Sequence, residues 1–434
     1  MTAAPSQPSP DPVRILSLDG GPGPLYHLPL LREIERRSPG FIARTHVFAG
    51  TSDGALIALF LAKQLAEGRT GAEALDACQR FADAYSQSFS QGASWRGFFL
   101  RNRPYSDGQS FRDALSTWFG DTTLDELHAR GRHVAITSFN ANPWRPRFYR
   151  SFGPDWSRNA RDGGRTLREV AHDTSSVPGV MPVSLSRGVA YLDGFLASNN
   201  PAMSALAVIV RDIVRRAHPG EDPFDHVVLL SLGVGQSLRE ARIEERGGVL
   251  RNGIELLSDN VRLLAAADQE SLIGSVKALF GNEARGGRAA LGRTSLNWGA
   301  LDLVGHLVYL ADMMFHGQSG EVDHNCERLL GSARFHRYEP RIALMRAVVR
   351  FLIKRGDGST AAMEALYRAC FRDDLETAPE DARDAEENRN RTRRVLAWID
   401  ASWMAVPPRL GADTPDDGVV DEGFTPDDFE AATV

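Results

Sequence analysis

The sequence predicts an α/β fold built on a mainly parallel sheet, followed by a mostly helical C-terminal region. Three observations predict it. Short apolar runs alternate with helical patterns from about residue 13 to 236; two of those runs end in glycine-containing turns that open helices; and helical periodicity dominates from about Ser237 onward.

Residues 1–12 are rich in Pro, Ser and Ala and read as a disordered lead-in with no basic, apolar leader. Arg14–Leu18 is a short buried strand that ends at Asp19-Gly20-Gly21-Pro22-Gly23-Pro24, and a helix is expected from about Leu25 to Arg37. Such a turn is an anion cradle by geometry, because its backbone N–H groups converge. It is neither Gly-x-Gly-x-x-Gly in register nor a phosphate loop, since no Gly-Lys-Ser/Thr is present. That leaves an oxyanion site or a plain tight turn. Thr45–Ala49 is the second strand. It meets Gly50-Thr51-Ser52-Asp53-Gly54, and an Ala- and Leu-rich helix runs on to about Ala66. Strand, sharp turn and helix around a central serine is the setting of a nucleophile elbow. Gly50 and Gly54 permit close backbone approach there.

Helices are expected over Ala72–Ser88 and Ser110–Phe119. Between them, Trp95–Pro104 interleaves aromatics with arginine and suits either a lipid interface or a connector packed into the core. Arg132–Phe139 and Arg147–Phe152 form a strand pair across Asn140–Pro143. A short helix at Leu167–Asp173 leads to Thr174–Pro182; Val189–Leu192 is a strand ending at Asp193-Gly194; Asn199–Arg216 is a helix capped by Asn199-Asn200-Pro201; and Val227–Leu232 is a strand closed by Gly233 and Gly235. Helical patterns follow at 254–264, 271–280, 301–315, 341–354 and 360–371, interrupted by a Gly- and Arg-rich loop at 281–292. Asp381–Met404 begins charged and ends apolar, a solvated helix docking through Val395, Leu396, Ile399 and Trp403. Residues 237–410 are thus expected to form a helical region, a cap or a completion of the core, and 411–434 an acidic disordered tail.

The chain has 434 residues, 42% apolar, with a net charge of −6, which argues against nucleic acid as the main partner. Its only lysines are Lys63, Lys277 and Lys354, so arginine clusters are a compositional expectation. Cys78, Cys326 and Cys370 are odd in number and far apart, which suits a reducing compartment, and no spacing suggests a metal or a cofactor. No apolar run reaches about 20 residues, the length of a membrane span. A cytoplasmic protein, at most peripheral to membrane, is the expectation.

A serine nucleophile needs a base. In a Ser-His-Asp arrangement Asp193 would be the acid, with His218, His226, His306, His316, His324 or His336 as the histidine. In a dyad, a carboxylate contacts the serine directly. The ordered set Asp19-Gly20-Gly21, Gly50-Thr51-Ser52-Asp53-Gly54 and Asp193-Gly194, joined by Thr174–Pro178, Asn199–Ala202 and Ser231–Gly235, resembles the patatin-like lipid acyl hydrolases. The resemblance covers about Val13–Gln236, read as the catalytic domain over 13–236, and implies a three-layer α/β/α fold.

It further implies Ser52 as nucleophile and Asp193 as general base, with Gly20, Gly21, Gly23 and the Asp53 N–H around the oxyanion and Asp19 and Gly194 in support. The implied substrate is a phospholipid or related glycerolipid, met in transient contact with a membrane surface. The departures lie in the first turn. Pro22 stands where the family has its third glycine, Pro24 where it has a basic residue, and Leu25 where it has its last glycine. Proline has no N–H to donate. Two further readings therefore stay open: a catalytically silent lipid- or partner-binding member, and a soluble esterase using a histidine.

Overall fold

The computed structural model describes residues 11–21, 27–91, 104–152, 160–235, 317–340 and 382–405. Its centre is an eight-stranded sheet in the order β5-β6-β3-β2-β1-β7-β8, with β4 paired to β3. The strands are β1 Val13–Leu18, β2 Val47–Thr51, β3 His133–Asn140, β4 Arg145–Arg150, β5 Ser184–Ser186, β6 Val189–Leu192, β7 Val227–Leu232 and β8 Phe335–Tyr338. β3, β2, β1, β7 and β8 run parallel; β4 and β6 run antiparallel to β3, and β5 antiparallel to β6.

The central parallel strands β1, β2 and β7 are largely apolar on both faces because helices cover both. In β1, Leu16 and Leu18 point into one apolar cluster and Ile15 into the other. β7 repeats the alternation, with Val228, Leu230 and Leu232 facing one way and Val227 and Leu229 the other. On the first face lie α1 Leu28–Arg37, α3 Ser52–Ala66, α4 Gly71–Gln91, α5 Gln109–Phe119, α6 Leu124–Ala129 and α8 Leu167–Thr174. The second face takes α9 Ala202–Ile209, its π-helical extension Val210–Val214 and the helical residues 317–330. Two short helices, α2 Phe41–Arg44 and α7 Ala160–Gly163, and a final turn, α10 Arg215–Ala217, complete the set before α11 Ala382–Trp398. The architecture is the expected α/β/α sandwich.

Boundaries differ from the sequence expectation where caps decide them. α6 was not foreseen; a reciprocal capping box between Thr123 and Glu126 starts it, and the same device at Thr166 and Glu169 starts α8. β5, with only three residues, was also missed. The helix expected from Asn199 begins at Ala202 and turns π-helical at Val210.

The sheet itself crosses the boundary expected at residue 236. β8 lies beyond it, yet pairs with β7 from Leu229↔Phe335 to Leu232↔Tyr338 and extends the same sheet. Its middle residues, His336 and Arg337, hide it from an apolar-run search. α11 docks as expected: Val395, Leu396, Ile399 and Trp403 are buried in the first-face cluster. The buried Arg14 of β1 donates from Nε to the Trp403 carbonyl at 2.6 Å, and Ser38 donates to Asp400 at 2.7 Å. Among the described residues the chain on both sides of 236 builds one core. The expectations for 1–10, 92–103, 254–315, 341–371 and 406–434 lie outside the described residues, as do Pro22, Gly23 and Pro24. No described helix is long and apolar enough to cross a membrane.

Candidate active site

The site lies at the carboxyl ends of β1, β2 and β7, where β6 also ends. Sheet register explains why Ser52 and Asp193 meet. β4 occupies one edge of β3 from Ala135↔Arg150 to Asn140↔Arg145. The other edge is shared. β2 covers it up to Thr51↔Thr137, and β6 takes it over at Phe139↔Leu192. β2 runs parallel to β3 and β6 antiparallel, so the two strands run head-on toward each other and their next residues are Ser52 and Asp193. Although 141 positions apart, Ser52 donates from Oγ to Asp193 Oδ2 at 2.6 Å.

The elbow is strained and braced. Ser52 has φ 51°, in the left-handed region, a conformation that costs a non-glycine residue about 1–3 kcal/mol. Its N–H donates to Thr174 Oγ1 at 2.9 Å, and that hydroxyl donates on to the Thr137 carbonyl at 2.6 Å. Both motif glycines are required by contact. A Cβ on Gly50 would sit 2.5 Å from Ala55 Cα, and one on Gly54 would sit 2.4 Å from the carbonyl oxygens of Leu18 and Asp19. The packing that forbids side chains there thereby presses the start of α3 against the end of β1.

Asp193 is fully buried, with its N–H on the Ser176 carbonyl and its Oδ1 accepting from the Phe195 N–H at 2.9 Å. Burial pushes its carboxyl up to about 7, against the opposing hydrogen bonds from Phe195 and Ser52. A carboxylate of that basicity is matched to proton transfer near neutral pH. Gly194 is obligatory as well, since a Cβ there would lie 2.3 Å from the Thr137 carbonyl. A buried polar cluster sets the ends of α8 and β6. Arg165 packs against the rings of both Tyr149 and Tyr191, Tyr149 and Ser184 donate to Asp173, and Ser138 donates to the carbonyls of Asp173 and Leu192.

Asp53 is the second residue of α3, in the turn whose N–H groups have no intrahelical acceptor. Its side chain accepts from Tyr85 Oη at 3.0 Å. Burial, helped by the nearby Asp193 charge, raises its pKa well above the carboxylate range.

The turn after β1 corrects one expected role. The Gly20 N–H donates to the Asn199 carbonyl at 3.1 Å, while Asn199 Nδ2 donates back to the Gly20 carbonyl at 3.1 Å. Gly20 is thus a splice to the segment after Asp193 and has no N–H left for an oxyanion. Gly21 remains a donor, packed so that a Cβ would meet Val234 Cγ1 at 2.6 Å. Gly23 lies outside the described residues.

Sequence reasoning missed Arg337. From β8 its guanidinium clamps Asp19 through two bonds, 2.9 Å to Oδ1 and 2.7 Å to Oδ2, and donates to Ser231 Oγ at 2.7 Å. It is also paired with Asp323 and Glu339. Burial alone would lower its pKa, but Asp19, Asp323 and Glu339 hold it well above the ordinary guanidinium value. A cation therefore does sit at the base of the turn, delivered from 318 positions away rather than by the residue at Pro24. No local signal identifies it.

Of the candidate histidines, His306 and His316 lie outside the described residues. Neither Ser52 Oγ nor Asp193 bonds a histidine among the described residues. His336 stacks on Trp398, and His172 contacts Ser184. His218 and His226 lie with Glu221 beyond the opposite ends of the strands, and their side-chain donor atoms are close enough to suggest a metal. The two rings, however, stack with centroids 3.6 Å apart and planes 10° from parallel. In that pose their in-plane lone pairs share no common point, and His226 Nε2 instead meets Glu221 at 3.0 Å. The trio reads as a loop staple.

Residues 16–206, which include Ser52 and Asp193, match the family model for patatin-like phospholipase. Among curated proteins the chain is similar to the putative sporulation hydrolase CotR of Bacillus subtilis, 28% identical over 259 residues, or 58% of this chain and 72% of that one. It is also similar to protein teg of Priestia megaterium, 26% identical over 256 residues, covering 57% and 71%. A third relative, called probable inactive patatin-like protein 9 of Arabidopsis thaliana, is 26% identical over 245 residues, covering 52% and 61%.

Proposed function

From the premise that the chain belongs, through residues 16–206, to the patatin-like phospholipase family, we propose that it is a serine hydrolase of fatty acyl esters in phospholipids or related glycerolipids. Ser52 acts as nucleophile and Asp193 as general base. The observation that carries this reading is the 2.6 Å hydrogen bond from Ser52 Oγ to a buried aspartate whose pKa is pushed up to about 7. Asp193 accepts the hydroxyl proton as Oγ attacks the ester carbonyl carbon. The tetrahedral oxyanion is met by the N–H groups of Gly21 and Asp53, and the positive end of α3 adds to that field. Collapse breaks the bond to the leaving alkoxide, which takes the proton from Asp193. Water then gives a proton to Asp193 and attacks the acyl-serine, releasing fatty acid and returning the proton to Ser52.

Fatty acid release from mixed phospholipid vesicles tests it. The parent protein is compared with Ser52→Ala and Asp193→Asn; both substitutions are expected to lower turnover about a thousandfold or more. Equal release by all three proteins overturns the proposal.

A second reading, a silent lipid- or partner-binding protein, is favoured by the engagement of the Gly20 N–H and by Pro22, which has none. Labelling by a fluorophosphonate separates the two: a label on the parent that Ser52→Ala lacks rules out a silent serine.

A further inference from the structure

We propose that Asn199 is a positioning residue for the oxyanion: its side-chain amide holds and polarises the peptide group that carries the Gly21 N–H. This deepens the hydrolase reading and rests on it for the reaction. The carbonyl of Gly20 and the N–H of Gly21 belong to one planar peptide, so whatever fixes the first aims the second. Asn199 Nδ2 donates to the Gly20 carbonyl at 3.1 Å. A carbonyl oxygen only accepts, so the amide nitrogen of Asn199 and not its oxygen must face it. Hydrogen bonds in a chain polarise one another, and a donor on the carbonyl leaves the N–H at the other end of the peptide a stronger donor.

The preceding peptide is fixed as completely. His27 Nε2 donates to the Asp19 carbonyl at 3.0 Å, and the Gly20 N–H donates to the Asn199 carbonyl at 3.1 Å. In these two successive peptides only the Gly21 N–H has no acceptor among the described residues. A rigid frame with one donor left over suits oxyanion stabilisation, because a donor already in place costs no reorganisation during the reaction.

Asn199 owes its place to the segment that carries the base. Leaving β6, the chain sets Asp193 against Ser52, accepts from Thr51 Oγ1 at the Ser198 carbonyl at 2.9 Å, and reaches Gly20 with Asn199. One short stretch thus registers base, elbow and oxyanion turn against one another. Its neighbour has other work: Asn200 Oδ1 accepts from the Ala202 N–H at 3.1 Å, and its Nδ2 donates to Asp323 at 2.8 Å. Asn199 is buried, and a Cβ on Gly20 would come within 2.5 Å of its Oδ1, so the glycine lets the amide lie against the turn.

Kinetics on a soluble short-chain aryl ester test the assignment. Asn199→Leu keeps much of the volume and offers Gly20 no donor. It is expected to lower kcat about thirtyfold with KM within about twofold, the pattern of an interaction made only in the transition state. A trifluoromethyl ketone accepts Ser52 Oγ at its carbonyl carbon, the hydroxyl proton passing to Asp193, and so places an oxyanion in the same position. Its affinity should fall by a similar factor. The acid limb of the pH–rate profile should stay where the parent has it, which separates a loosened oxyanion donor from a disturbed Asp193. Asn199→Ala cannot overpack, and it carries the test should Asn199→Leu melt below the assay temperature. Thr123→Ala, which removes a helix cap outside the site, shows how far kcat moves with lost stability alone. Unchanged kcat, an inhibitor affinity that moves no more than KM, a kcat loss matched by Thr123→Ala, or a shifted acid limb overturns the positioning role. A parent protein that neither turns over the ester nor takes a fluorophosphonate label at Ser52 overturns the hydrolase reading, and this role with it.

Discussion

Two turns lie against each other at the carboxyl edge of the sheet, and different forces hold them. The turn after β2 is set mainly by excluded volume, Gly50 against Ala55 at the start of the following helix and Gly54 against the end of β1, with Ser52 tied by its N–H to Thr174. The turn after β1 is set by charge and hydrogen bonds reaching it from far along the chain, Asn199 on Gly20 and Arg337 on Asp19. A turn of the first kind leaves its mark in the local pattern of residue sizes. One of the second kind looks defective until its distant partner is seen.

Breaking the distant clamp should have the largest effect on stability. Arg337→Met leaves the buried Asp19 carboxylate without its bidentate partner, a situation that costs about 3–5 kcal/mol. Chemical denaturation should read that loss, and Arg337→Met with Asp19→Leu should recover part of it, because the fully buried carboxyl of Asp19 is then gone while Asp323 and Glu339 remain. A double variant as unstable as the single one would show that shape rather than charge holds the turn. Arg337→Lys keeps the charge and gives up the fork, so it should fall between parent and Arg337→Met.

The local turn is broken by volume. Gly54→Ala places a methyl 2.4 Å from two backbone oxygens that have nowhere to go, and a loss of about 2–3 kcal/mol is expected. Smaller still is Thr174→Val, which leaves the Ser52 N–H without its acceptor at a cost of about 1–2 kcal/mol. Its telling readout is kinetic: fluorophosphonate labelling of Ser52 should slow by more than the change in melting temperature implies, because the elbow loses its brace. Unchanged labelling would mean that the strain at Ser52 is borne by the glycine contacts alone.

The same contrast explains what could be read from the chain and what could not. The central parallel strands β1, β2 and β7 announce themselves as apolar on both faces, and the elbow as small residues around Ser52. α11 and its π-helical continuation Ile399–Trp403 were legible down to their docking residues, since Val395, Leu396, Ile399 and Trp403 recur at helical spacing. The Ser52–Asp193 pair came from a family resemblance; its geometric cause, two strands meeting head-on along one edge of β3, exists only once register is known. β8 escaped because its centre is His336-Arg337, and Arg337 is buried only by virtue of the three acids around it. Gly20 was misassigned because a free N–H and one committed to Asn199 look alike in sequence.

The smallest effect expected at neutral pH, and the one that joins the two turns, is the titration of Asp193. It acts as base only when ionised, and burial has raised its pKa from an ordinary 3.8 to about 7. Turnover at low substrate should therefore fall about tenfold per unit below that value, yet rise only about twofold from pH 7 to 8. Stability must run the other way. Between about pH 4 and 7 the folded protein retains a proton that the unfolded chain has released, so this residue makes stability decline as pH rises through that window. Asp193→Asn removes the dependence: its stability relative to the parent should climb from pH 4 to 7 and then level, while its turnover stays low throughout. Denaturation curves at a series of pH values would show it. A stability difference flat with pH would mean that Asp193 is already ionised well below neutrality, and that the weak base rather than the well-matched one faces Ser52.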